Sequence, residues 1–192
     1  MGYAFSVFAV DLARLKEVRA GKNHGLMVAI RKKYPQRLVE NSQWFAKEIA
    51  AGAPTLDQAL ERIIAGKVPR AEHGFQYGYA LELLCIHLGT RIDQESLSWF
   101  DEQLDPLLQR ARKASTGELL GRGKLPFAIP AAKDFPQIGA LDAKGIATLE
   151  TALADIAPLA AEKSSAALII EEVRGWITRA SRKKRGIVWF VY

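Results

Sequence analysis

The 192-residue chain is 49% apolar and 25% charged, a globular balance that argues against disorder. A net charge of +6 admits an anionic partner without requiring one. One cysteine, Cys85, excludes an internal disulfide and any multi-cysteine zinc site, and fits a reducing cytoplasm. No apolar run approaches the roughly 18–20 residues that span a bilayer, so no membrane association is expected. This length suits one domain over residues 1–192.

Residues 3–10 are rich in aromatic and β-branched side chains and read as a buried strand, with no basic segment or cleavage site of a secretion leader. Asp11 stands where an N-cap belongs, ahead of a helix over 12–20 with Leu12, Leu15 and Val18 inward. A helix over 24–34 carries Leu26, Met27 and Ile30 and stops before Pro35. The next, over 36–51, is expected to bury Leu38, Trp44, Phe45 and Ile49. Thr55 to Gln58 forms a capping box for a helix with Leu56, Ala59, Leu60, Ile63 and Ile64 at helical spacing, and Gly66 follows as its stop.

Residues 73–88 predict a helix that is apolar nearly all round, and therefore central. A helix over 96–114 should break near Asp105, with Pro106 opening a new one. Glycines and prolines make 115–140 irregular, with a short edge strand expected at 125–129. Asp142 caps a helix over 143–156. The last helix starts near Glu162 or Ser164 and places Leu168, Ile169, Val173, Trp176, Ile177 and Ala180 on one stripe. Gly186 then lets the chain reverse into a continuously apolar strand over 187–192. The expected fold class is α+β: a small sheet including the N- and C-terminal strands, covered by about six to eight helices.

Chemistry is sparse. Cys85 and His87 are two residues apart, so on a helix they diverge by about 200° and cannot hold one metal ion. No cofactor is implied. Gly121 to Lys124 lacks the spacing of a phosphate loop. The segment around the start of the central helix is unusual: His73, Gln76, Tyr77 and Tyr79, with Glu82 one turn on, could line a ligand pocket. The plainer account is that Gly74 and Gly78 let this helix pack closely and the phenols bond at the core edge. Arg179, Arg182, Lys183, Lys184 and Arg185 form the best nucleic-acid or anion candidate. At a helix C-terminus the same cations neutralise the dipole.

The opening Tyr3-Ala4-Phe5 to Val10-Asp11-Leu12, the block from Gly74 to Gly89 and the stretch Glu171 to Trp176 together resemble an uncharacterised bacterial domain-of-unknown-function family. The order of elements is more distantly similar to the YfbM-type family. These resemblances imply an α+β fold and a bacterial cytoplasmic origin, and carry no catalytic residues. The reading they leave is a non-catalytic protein-binding module, such as an immunity-type protein whose partner is a toxin encoded nearby. Small-ligand binding around His73, Tyr77 and Tyr79 and nucleic-acid binding through the basic cluster are the alternatives.

Overall fold

The computed structural model describes residues 5–20, 23–69, 72–93 and 100–192. Its centre is a four-stranded antiparallel sheet of order β2-β1-β4-β3, built from β1 (Phe5–Val10), β2 (Thr90–Asp93), β3 (Gln137–Leu141) and β4 (Gly186–Val191). The N- and C-terminal strands pair in the middle, Phe5 opposite Val191 through to Val10 opposite Gly186. Both are buried along their whole length, which explains why neither sequence alternates polar with apolar.

Helices cover both faces. One face packs against α7 (Phe100–Arg110), α9 (Ala143–Ile156) and α10 (Ser165–Arg182), where Phe5, Val7, Ile187 and Trp189 meet Leu104, Leu153, Val173 and Trp176. The short α8 (Thr116–Leu119) joins that core through Leu119. The other face, with Phe8, Val10, Val188 and Phe190, meets α1 (Leu12–Ala20), α2 (His24–Lys33), α5 (Leu56–Ile64) and α6 (Gly74–Leu88). Two further helices, α3 (Pro35–Trp44) and α4 (Ala46–Ala50), lie outside these. Each face thus has its own apolar core, and burying one Leu, Ile or Phe side chain contributes about 1.5–3 kcal/mol.

The α+β expectation, with the N- and C-terminal strands in one small sheet, holds. Local caps hold too: Asp11 accepts from the amides of Ala13 and Arg14 at 3.0 Å, and Asp142 accepts from Gly145 at 2.8 Å. The Thr55–Gln58 box is reciprocal. Other expectations fail for tertiary reasons. The helix over 36–51 is broken at Phe45 into α3 and α4, and Trp44, expected inside, is 76% exposed. Leu168 is likewise on the surface. From Phe100 onward α7 runs straight through Pro106, because Leu104 and Leu108 on either side are both buried and hold the turn together; the expected start at 96–99 lies outside the described residues. No strand forms at 125–129, where Pro126 withholds a donor. The edges are instead β2 and β3, and the described residues carry ten α-helices, more than expected because of the break at Phe45 and the four-residue α8.

Helix α6 sits against the sheet and carries the unusual segment. A Cβ at Gly74 would fall on the carbonyl of Ala131, and one at Gly78 would lie 2.6 Å from the Pro136 ring. The two glycines therefore let the loop before β3 close over the first turns of α6, as the plainer sequence reading required.

Candidate functional site

The five residues grouped by sequence do not share one pocket. Tyr77 is fully buried, its hydroxyl accepting from Arg62 Nη1 at 3.1 Å. Gln76 is also fully buried, and neither atom of its amide has a hydrogen-bond partner. Residues two apart on a helix diverge by about 200°, so Tyr77 and Tyr79 face different ways. Tyr79 alone belongs to both clefts that open along α6.

The first cleft, about 770 Å³, lies at the N-terminus of α6. His73 occupies the N-cap in a left-handed conformation (φ 53°) with no side-chain cap bond. Phe45, Phe75, Tyr79 and Phe135 line it, with ring centroids 4.9 Å apart for Phe45–Phe75 and 5.2 Å for Phe45–Tyr79. Glu48, Glu72, Lys133 and Asp134 also line it. Carboxylates near a helix N-terminus also complement its dipole.

The second cleft, about 820 Å³, lies between α3 and α6. Its floor is Glu82, a carboxylate only 2% exposed. Two arginines face it, Arg37 at 3.0 Å and Arg91 at 3.9 Å. Pairing of this kind offsets the cost of burying a carboxylate. Tyr79 stacks on Tyr192 at 5.5 Å beside it. Burial, and then the Glu82 charge, push the Tyr192 phenol well above its ordinary range; the same causes in the same order raise Tyr79 and, one turn along α6, the Cys85 thiol. The wall opposite is α3, whose residues Arg37, Asn41 and Trp44 fall on one stripe at i, i+4 and i+7. Lys32 and Lys33, at the end of α2, complete the rim. Arg31 beside them is committed elsewhere, to Asp57 through two bonds of 2.8 Å.

Of the sequence-chosen residues, the fold thus brings Tyr79 together with His73 in the first cleft and with Glu82 in the second. Arg37, Asn41 and Trp44 were missed. The periodicity of α3 placed Trp44 inward, and nothing local links Arg37 to a carboxylate 45 residues away.

At the C-terminus of α10 the basic cluster stitches this helix to the sheet. Arg179 lies 3.8 Å from Asp93, while Lys183 and Arg185 donate to Thr90 at 3.2 and 3.1 Å. Arg182 and Lys184 are exposed, and Lys184 shares a hollow with Asp11, Asp142 and Glu150. Among the described residues no cluster of three or more potential metal ligands occurs, and no helix is long and apolar enough to cross a membrane.

Neither a curated protein nor a solved structure matches the chain. A family model does, over residues 1–192, and the chain belongs to that family, the domain of unknown function DUF7691.

Proposed function

We propose that this chain is a non-catalytic binding module that docks an acidic partner protein on the face formed by α2 and α3. The observation that supports it is Trp44, an indole 76% exposed in a cleft with Lys32, Lys33, Arg37, Tyr34 and Tyr79. Tryptophan, tyrosine and arginine are the side chains that most often dominate protein–protein affinity. Val28 and Val39, also exposed, lie on the same two helices. The cations on the rim favour a negatively charged partner surface, as does the overall charge of +6. An immunity-type protein that masks a toxin encoded beside it is the specific form of this reading. Because the masking surface is basic, the toxin it fits has an acidic surface.

Co-expression of the tagged chain with the products of its neighbouring genes tests this. Co-purification of one neighbour, lost in Trp44→Ala and weakened by salt, is the expected result. Failure to retain any neighbour, or retention unaffected by Trp44→Ala, overturns it.

A second reading, small-ligand binding at the His73–Tyr79 cleft, draws on its four aromatic rings and three carboxylates, a combination suited to an organic cation. Thermal stabilisation by tetramethylammonium or arginine, lost in Phe75→Ala, is the expected result. Equal response in the variant removes that reading.

A further inference from the structure

We infer that α3 and α4 form a hinged strap across α6, latched by Arg37 on Glu82, and that release of the latch joins the two clefts into one groove. The inference goes beyond the docking proposed above, and its test needs no partner.

The strap is weakly held. Helix α5 buries Leu56, Ala59, Leu60, Ile63 and Ile64. Helix α3, of similar length, buries Asn41 alone, and α4 buries nothing. Asn41 adds little to the hold, because its Oδ1 is buried without a partner and such an atom costs free energy. Elements with so little buried apolar surface open locally, well below the free energy of global unfolding. What holds the strap is Leu38, half-buried against the core of that face, the Phe45 ring on Phe75 and Tyr79, and the ion pair.

Both ends are built to turn. Tyr34 is at once the C-cap of α2 and the N-cap of α3, and its ring is held on His87. Pro35 follows, with no amide to continue the hydrogen-bond ladder of α2. At the far end Gly52 has a φ of +105°, and a Cβ there would find no atom within 4 Å.

Among the described residues, the latch is the one side-chain hydrogen bond that ties α3 or α4 to another element: Arg37 Nη2 donates to Glu82 Oε2 at 3.0 Å. The bonds of Gln36 to Glu40 and of Ser42 to the Leu38 carbonyl close within α3. Releasing Arg37 does not strand the carboxylate. Arg91 lies 3.9 Å from the other Glu82 oxygen and is itself set over the Phe8 ring, 5.3 Å from its centroid. The Arg37 side chain is 42% exposed, so water can take the place of Glu82 around it. The latch therefore opens without leaving a buried charge unpaired, which would make opening prohibitive.

The divider between the clefts belongs to the strap. Tyr79 lines both clefts, and Phe45 leans on it with ring centroids 5.2 Å apart. Phe45 and Glu48 wall the first cleft; Arg37, Asn41 and Trp44 wall the second. When the strap lifts, both walls leave together. Helix α6 is then bared from His73 to Glu82, about 14 Å along its axis.

Hydrogen exchange of the intact chain, read by mass spectrometry, tests the strap. Amides of α3 and α4 should exchange at least about tenfold faster than those of α5 and β4. Arg37→Gln cuts the latch while Arg91 keeps Glu82 paired. It should speed α3 and α4 together, by about fivefold, and leave β1 and β4 unchanged. Arg37→Lys keeps the charge and should recover part of the protection. Tyr79 should also react faster with tetranitromethane in Arg37→Gln, because the lifted strap uncovers it. Phe45→Ala removes the divider without touching the Glu82 pairs, and is the companion variant should Arg37→Gln loosen the whole chain; it should speed the same two helices. A strap as protected as β4 overturns the inference. So does an Arg37→Gln chain in which α3 speeds and α4 does not, or in which Tyr79 labels as in the parent, and so do two variants that both exchange at the parent's rate.

Discussion

The two faces of the sheet are packed by different rules. Against α7 and α10 the core is a nest of rings: Phe5 lies 5.1 Å from Phe100, 6.2 Å from Trp176 and 5.9 Å from Trp189 between centroids. The polar atoms of the two indoles are satisfied there, Trp176 on Asp93 and Trp189 on the Leu120 carbonyl. On the α6 side Asn41, Gln76 and Glu82 are buried, and two of the three leave polar atoms unpaired. On the ring-packed side Thr116 Oγ1 is likewise buried without a partner. Buried polar groups without partners lower stability, so a fold keeps them mainly where something other than packing is selected. Both clefts along α6 open on that same side.

The largest effect should come from the ring-packed face. Trp176→Ala empties a fully packed site and should cost about 3–5 kcal/mol in urea unfolding. A loss below about 1 kcal/mol would mean that this face is not the structural one. The α6 face should respond in the opposite sense. Gln76→Met keeps the length of the side chain and removes two unsatisfied polar atoms, so it should stabilise by about 1–2 kcal/mol. If it destabilises, Gln76 has a partner in solution, and the contrast between the faces weakens.

Legibility in the sequence followed the same division. Signals confined to a few residues were readable. The Thr55–Gln58 box and the Asp11 and Asp142 caps could be placed because their chemistry is local, and Thr55→Ala should cost about 1 kcal/mol, measured by the same unfolding. The continuously apolar terminal strands announced their burial on two faces. Features set by distant contacts were not readable. The edge strands β2 and β3 carry too few strand-forming residues to stand out, and β3 includes Gly139, over which Trp189 packs. Glu82 was noticed only as a neighbour of Tyr79 on α6. That it is buried depends on Arg37 from α3 and Arg91 beside β1, and neither follows from spacing. Trp44 fitted a helical stripe, yet it ends α3 on the open cleft side and is 76% exposed.

The smallest effect is one of pH, and it belongs to the α6 face. His87 lies near the end of α6 with its ring edge-on to Tyr34, 6.0 Å between centroids, and its Nδ1 buried without a partner. Burial, then the charges of Lys33 and Arg14, hold its imidazole below the ordinary value of 6.5. The unfolded chain therefore takes up this proton at a higher pH than the folded one does. Between the ordinary value and the lower folded one, the unfolded state binds more protons, so stability falls as the pH drops through that window. Above it both states are neutral, and His87 contributes no slope. His87→Phe retains the contact with Tyr34 and removes the titration. Urea midpoints taken from pH 7.5 downward should fall more steeply below about 6.5 in the parent chain than in the variant. Parallel curves would mean that the imidazole is solvated well enough to accept its proton in the folded state, which would make the end of α6 an ordinary surface.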